Sequence, residues 1–353
     1  MINGEKTYIS SLGLATPHFE VKQNLVGEIL EFHTGHILSD RSRSVMQKLF
    51  AHPSINSRSF AVDDTQSIFK EDPDSRIERF TKWSIALSSE AVMKALDGAG
   101  IRVDEVRALI VNTCTGYICP GISTYLIEKL GLSCNTRVYD LLGSGCGGAI
   151  PNMQLADSLV KQGDGGAILS VSVEICSATF QMADDLSLIV SNTLFGDGAA
   201  AAVLCQQRHG LELVDSESYY VPKDRQYIRY VHRNGQLHNQ LSARLHNHVR
   251  KVAAHVVNNL LSRHELGIAD IAYWALHTGG EKIINAIRDE IGLSEEQLTA
   301  TRSILSKYGN MSSPTVFFVL NKLIERGMYE DDLCLMLAFG AGLSAHACLL
   351  RKV

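Results

Sequence analysis

The chain has 353 residues, 45% hydrophobic and 20% charged, which supplies a large core and excludes general disorder. A formal net charge of -5 leaves no basic surplus for a nucleic-acid partner, and no apolar stretch approaches the roughly 18–20 residues that span a bilayer. Eight cysteines are scattered, four of them in apolar runs (Cys176, Cys205, Cys334, Cys348), with neither a disulfide framework nor a Cys-x-x-Cys knuckle; with no signal pattern at the N-terminus, this points to a reducing cytoplasm.

In chain order, residues 41–75 are polar and weakly patterned and read as a surface excursion. Trp83 to Leu96 reads as an amphipathic helix, Val106 to Asn112 as a buried strand and Ile122 to Leu130 as a second helix. Next comes Tyr139-Asp-Leu-Leu-Gly-Ser-Gly-Cys-Gly-Gly-Ala-Ile150, a strand-like approach that breaks on glycines before a helical run from Asn152 to Lys161. Gly166 to Val173 and the small-residue run Ala199 to Leu204 read as strands. From Asp215 to Arg244 the chain turns polar and aromatic, as a crossover would. A second half follows: helix Leu245–Arg263, strand Ile271–His277, helices Glu281–Ile291 and Val316–Ile324, and strands Leu333–Phe339 and Ala345–Leu350. This βαβ rhythm predicts mainly parallel sheets flanked by helices, in two similar halves, residues 1–215 and 216–353.

Three reactive side chains stand beside glycines at the ends of these elements. Cys146 sits on a tight turn before a helix, where the dipole and free N–H groups favour a thiolate. His277 ends a strand before Thr278-Gly-Gly, and Asn310 lies in Tyr308-Gly-Asn-Met-Ser-Ser313 ahead of a helix. In α/β proteins, sites are built at the carboxyl ends of strands. A histidine there can draw the thiol proton and hold an imidazolium–thiolate pair, and histidine and asparagine N–H groups can hold an enolate oxyanion. Taken singly, each also has an ordinary reading: an inert buried cysteine, a packed histidine, a turn asparagine. His232, His238, His246, His248 and His255 cluster in the crossover and the next helix, but no carboxylate or cysteine completes a metal set. A loop over a site entrance, or a dimer contact, suits them better.

The segments Gly145-Cys-Gly-Gly148, Leu194-Phe-Gly-Asp-Gly-Ala-Ala200, His277-Thr-Gly-Gly280 and Tyr308-Gly-Asn-Met-Ser-Ser313 fall in an order and spacing that resembles the type III polyketide synthases, the chalcone-synthase-like branch of the thiolase superfamily. Thr113 to Gly121 and Glu174 to Thr179 also look like that family's strand-end segments, and the likeness runs from about Met46 to the C-terminus. The resemblance implies a thiolase-like α/β fold of five layers, αβαβα, with Cys146 at the buried N-terminus of a central helix. It implies catalytic Cys146, His277 and Asn310, with Phe195 as gatekeeper between a CoA tunnel and the cavity. Thr115, Cys176, Ala178, Thr179 and Ser312 would line that cavity, Phe339, Gly340 and Gly342 would belong to a cyclisation loop, and Arg58 would grip CoA phosphates. Acyl-CoA and malonyl-CoA would be the substrates of a homodimer, with Cys119-Pro120-Gly121 near its interface; no metal, nicotinamide or flavin is implied.

Two positions depart from the pattern. Thr278 stands where most members carry proline, and Ala338-Phe-Gly-Ala-Gly342 replaces Gly-Phe-Gly-Pro-Gly, so ring closure is left open. His-Thr-Gly-Gly and the run from Glu174 to Phe195 look closer to bacterial members, among them the enzyme that makes 3,5-dihydroxyphenylacetyl-CoA from malonyl-CoA. One rival is a single-step ketoacyl synthase fed by a carrier protein, against which Tyr-Gly-Asn-Met-Ser-Ser favours the polyketide branch. The other is a non-condensing acyl-CoA-binding relative, against which the intact Cys, His and Asn set argues.

Overall fold

The computed structural model describes residues 6–64, 67–163 and 165–353. Its strands are β1 (Thr7–Ala15), β2 (Glu20–Lys22), β3 (Ser57–Ser59), β4 (Val106–Asn112), β5 (Arg137–Leu141), β6 (Ala167–Glu174), β7 (Gly198–Cys205), β8 (Leu211–Tyr220), β9 (Ile228–Arg233), β10 (Gln236–Leu241), β11 (Tyr273–Leu276), β12 (Leu333–Gly340) and β13 (Ser344–Lys352). The α-helices are α1 (Gln23–Thr34), α2 (Asp40–Phe50), α3 (Pro73–Ala99), α4 (Ile122–Leu130), α5 (Ala149–Val160), α6 (Leu186–Leu194), α7 (Leu245–Arg263), α8 (Glu281–Ile291), α9 (Thr299–Tyr308) and α10 (Thr315–Glu325).

Nine strands form one sheet in the order β11-β12-β13-β8-β1-β7-β6-β4-β5. β1 is the join: it pairs with β7 on one side and, through Thr7 to Ile9, with β8 on the other. The break expected at 215/216 falls inside β8. Helix α3 covers β1, β7 and β6 from outside, and α7 covers β13 and β8. Between the half-sheets lie α5, touching β4, β6, β8 and β13, and α10, touching β1, β7, β11 and β12. Both central helices are apolar nearly all round, as a helix covered on every side must be: α5 buries Ile150, Met153 and Leu159, and α10 buries Phe317, Phe318 and Leu320. Helix, sheet, helix, sheet, helix is the resulting layer order.

Three expectations need correction. The sheet is mixed: only β4–β5, β4–β6 and β11–β12 are parallel, and the remaining pairs are antiparallel. Parallel pairing needs a crossover, and β12 returns as β13 through a short turn that allows only antiparallel pairing. The excursion at 41–75 contains α2, capped where Ser39 Oγ accepts the Ser42 N–H and seated by Met46 and Phe50 in a small core with Leu30 and Ile189. It also contains the start of α3 at Pro73, where Asp72 accepts the Ser75 N–H. The supposed crossover is regular structure too: its first part completes β8, and β9 and β10 form a hairpin. The turn of that hairpin, Asn234-Gly235, takes positive φ at both residues (51° and 72°), the Asn-Gly signature of a two-residue connection.

The small residues of β7 and Gly13 of β1 let α3 lie close on the sheet. A Cβ at Gly13 would stand 2.0 Å from the Ala91 carbonyl oxygen and 2.6 Å from the Ala95 nitrogen. Gly13→Ala should therefore destabilise the protein by about 1–3 kcal/mol or more, read as a lowered melting temperature; an unchanged melting temperature would mean that α3 can slide off β1 without cost.

Candidate active site

Cys146 lies in a single helical turn, Gly145–Gly147, that feeds into α5. The turn is pressed against the end of β12. A Cβ at Gly340 would meet the Ser144 carbonyl oxygen at 2.2 Å and the Gly147 nitrogen at 2.5 Å, so only glycine lets the two segments touch. Phe339, the residue before it, meets the His277 ring edge-on at a centroid distance of 5.0 Å. His277 follows β11, its N–H bonded to the Leu337 carbonyl (2.8 Å). On the other side, Asn310 pairs with the backbone around Phe195: its N–H donates to Leu194 O and its carbonyl accepts from Gly196, each at 3.0 Å.

Ser312 connects these parts. Its N–H donates to Asn310 Oδ1 (2.7 Å), which leaves the Asn310 amide NH2 as the group free to meet a ligand. Its hydroxyl donates to Cys146 Sγ (3.2 Å), with Glu174 Oε1 a competing acceptor at 3.3 Å and Cys114 Sγ in contact at 3.4 Å. Ser312 takes a left-handed backbone conformation (φ 59°), which an L-residue holds only where its surroundings insist. The structure thus gathers Cys146, Asn310, Phe195 and Ser312 directly, and His277 through Phe339.

Glu174, to which the motifs attached no role, is central here. It ends the fully buried strand β6 and accepts from Ser313 Oγ (2.6 Å), Thr115 Oγ1 (2.9 Å), the Cys114 N–H (2.9 Å) and Thr113 Oγ1 (3.2 Å). Burial raises its pKa, against the pull of these donors. A glutamate closing an otherwise uncharged, fully buried strand was the available signal.

The main cavity, about 520 Å³, begins at Gly145 and Cys114 and is walled by Thr115, Ala178, Thr179 and Ala341. The β9–β10 hairpin closes it with Tyr230, His232 and Leu237, and Arg76 and Arg229 border it. Among the expected lining residues, Cys176 instead faces a smaller pocket shared with Phe195 and Thr179. Of the cyclisation loop, Ala341 borders the main cavity while Phe339 faces His277. Arg58 does not stand where CoA phosphates could reach it. It is 1% exposed, its Nε donates to Gln23 Oε1 (2.8 Å), and its Nη1 donates to the carbonyls of Asn192 (2.8 Å) and Phe195 (2.6 Å). That guanidinium braces the segment carrying Phe195. The histidines of the crossover spread apart: His232 borders the cavity, His248 bonds Asp224 (3.1 Å) and His255 packs on Tyr219. Among the described residues no group of three His, Cys, Asp or Glu could hold a metal ion, and no helix is long and apolar enough to cross a membrane.

Burial sets the charge state at rest. It pushes the Cys146 thiol up to about 12, with Glu174 adding to the rise and Ser312 opposing it, and pulls His277 down to about 3. Neither ring nitrogen of His277 has a hydrogen-bond partner among the described residues. Burial thus favours a neutral thiol and a neutral imidazole at rest, against the imidazolium–thiolate pair that the motifs suggest. Alkylation of Cys146 by iodoacetamide, followed by peptide mass spectrometry, should then accelerate about tenfold per pH unit from pH 7 to 9. A flat rate from pH 6 to 9 would show a preformed ion pair instead.

Residues 14–261 match the family model for FAE1/Type III polyketide synthase-like protein, and residues 212–353 match that for the C-terminal domain of chalcone and stilbene synthases. The chain is 27% identical over 338 residues to phloroglucinol synthase of Pseudomonas fluorescens, covering 94% of this chain and 97% of that protein. It is 27% identical over 320 residues to 3,5-dihydroxyphenylacetyl-CoA synthase of Streptomyces toyocaensis, covering 87% and 82%. Equal identity to both singles out neither activity. Among solved structures, PKS-I from the brown alga Ectocarpus siliculosus superposes with a TM-score of 0.91 at 26% identity, over 99% of this chain and 98% of that one. With a thiolase-like fold and a family model spanning more than half its length, the chain belongs to the type III polyketide synthases, and it is an acyltransferase that condenses CoA thioesters.

Proposed function

We propose that the protein builds a short polyketide on Cys146 by iterative decarboxylative condensation of malonyl-CoA onto an acyl-CoA or malonyl-CoA starter, then closes it to a small aromatic or pyrone. The supporting observation is the junction at Ser312, which ties the thiol to the Asn310 amide next to a cavity that Gly145 and Cys114 line. The starter thioester enters, the Cys146 proton moves to the unpartnered His277 imidazole, and sulfur attacks the acyl carbon. CoA leaves as its thiol, taking that proton, and His277 is neutral again. Malonyl-CoA then loses CO₂. The electron pair left behind becomes an enolate whose oxygen needs fixed donors rather than a base, and the Asn310 NH2 and a His277 N–H supply them. The enolate carbon attacks the acyl-Cys146 carbonyl, and the bond from that carbon to sulfur breaks. The chain, one ketide unit longer, now stands on the CoA of the malonyl unit, and Cys146 is left as the thiolate. Attack of that thiolate on the new thioester, with release of CoA, returns the chain to Cys146 for the next round.

The 520 Å³ cavity beyond the thiol favours repeated rounds over a single condensation. A second copy of the chain is also proposed. β5 ends the sheet, and Ile77, Tyr117 and Leu142 are exposed where they border the cavity. Sedimentation should give twice 38.7 kDa; a monomer at micromolar concentration would refute the dimer.

Two substitutions separate the assigned roles. Cys146→Ala should abolish the cyclic product while malonyl-CoA still loses CO₂, and a variant releasing the same product would rule out the covalent route. Asn310→Ala should slow CO₂ release by about 10²–10³-fold, the usual effect of removing one oxyanion donor; unchanged release removes Asn310 from that role. Mass spectrometry of wild-type products should show more than one extension, and a single one would favour the ketoacyl synthase reading.

A further inference from the structure

We infer that His346 is a positioning residue for the nucleophile: its ring, locked in one tautomer, walls the turn that carries Cys146 and fixes the Ala341 carbonyl beside it. That this serves condensation rests on the function proposed above. His346 is fully buried on β13, and no step of the proposed reaction uses it. Alternation puts Ser344, His346, Cys348 and Leu350 on one face of that strand, and the last two join the core that α5 fills between the half-sheets. A buried imidazole needs a partner for each nitrogen, and this one has both.

Those partners fix the ring. Ser344 Oγ donates its one proton to the Ala341 carbonyl (2.9 Å), so toward His346 Nε2, 3.1 Å away, it can only accept. Nε2 therefore carries the hydrogen and Nδ1 is bare. Ser218 Oγ, directly opposite on β8 and 2.8 Å from Nδ1, is then the donor to it. Burial keeps the ring neutral, pulling its pKa down to about 4. Gln154 Nε2 donates to the same Ser218 (3.1 Å), and Gln154 Oε1, at 3.3 Å, is the poorer acceptor for the Ser218 proton. A line of polar groups thus runs from α5, the helix that Cys146 leads into, through β8 and β13 to Ala341. Of this line only Ala341 borders the main cavity.

The ring lies against the residue that follows the nucleophile. Gly147 takes no left-handed φ, so its lack of a side chain answers to space. A Cβ there would stand 2.9 Å from His346 Cδ2, 3.2 Å from Nε2 and 3.3 Å from the Gly340 nitrogen. At the other end of the turn, a Cβ at Gly145 would meet the Ala341 nitrogen at 3.1 Å. Ring and loop together leave the Cys146 turn one position, and a reacting atom misplaced by about 1 Å can cost about 10²-fold in rate.

Substitutions on both sides of this contact test the inference, with condensation kinetics read by product mass. His346→Leu, which fills similar space without the hydrogen bonds, should lower kcat by about tenfold or more while each KM stays within about threefold. His346→Gln, which offers an acceptor and a donor, should recover most of that loss. Gly147→Ala should lower kcat by about 100-fold, and adding His346→Ala should raise it again by about fivefold or more, because the methyl then has room. Should Gly147→Ala fail to fold, the Leu and Gln pair decides. Wild-type kcat in His346→Leu, or a folded double variant no faster than Gly147→Ala, overturns the positioning role and leaves the polyketide synthase reading standing. A wild type that forms no product overturns that reading instead, and alkylation of Cys146 by iodoacetamide at pH 8 then tests the wall without substrate. A rate about threefold or more higher in His346→Ala, from a loosened turn, supports it; an equal rate overturns it.

Discussion

A buried carboxylate governs the arrangement of this site. Glu174 lies at the end of β6 with no solvent contact, and a carboxylate in that position is tolerable only if its oxygens are fully engaged. The donors come from the segment after β4 (Thr113, Cys114, Thr115) and from the turn that leads into α10 (Ser313). The network extends further: Ser313 also accepts from Asn112 Nδ2 (2.9 Å), and Asn112 Oδ1 accepts from Asn152 of α5 (2.9 Å) and from Ser172 of β6 (2.7 Å). One connected set of polar groups thus fixes two half-domains and both central helices against each other. Half-satisfied, such a network would be worse than an apolar core. Fully engaged, it holds Ser312 in its left-handed conformation with the hydroxyl at the thiol.

How much of this could be read from the chain differs by element. β4, α4, α7 and α8 begin and end where their apolar periodicity says, because each presents a clear buried face and a clean stop such as Gly131 or Gly292. Helix α2 was hidden because Arg41, Ser42, Arg43 and Ser44 dominate its first turns, and only Met46 and Phe50 declare a buried side. The hairpin was hidden by its polar composition, although Asn234-Gly235 marked its turn. For the site, the glycine-flanked motifs singled out Cys146, His277 and Asn310 as candidates, and the fold sets Asn310 beside Cys146 through Ser312. They could not reveal Glu174, whose importance comes from hydroxyl groups distant in sequence, nor the fate of Arg58, whose partners on β2–α1 and α6 appear only when the chain is folded.

The cavity combines rigid and adjustable walls. Its floor is strand-end backbone from the central sheet, where small side chains at Thr115, Ala178 and Thr179 leave space. Its roof is a two-stranded ribbon that belongs to no larger sheet. Such a ribbon depends on what it packs against for its own stability. Side chains on it, Tyr230 above all, can change the shape of the space without disturbing the network beneath. Division of labour between a fixed chemical floor and a replaceable roof is how one fold serves many substrates.

His277 shows what the proposed chemistry would cost the fold. Two imidazole nitrogens are sealed in the interior with no bonding partner among the described residues, each a loss of hydration in a place where an apolar side chain would carry none. Selection for thermal robustness alone would discard this side chain. Under the proposed function an incoming thioester gives these nitrogens a partner, so part of the substrate's affinity would be instability carried by the free enzyme.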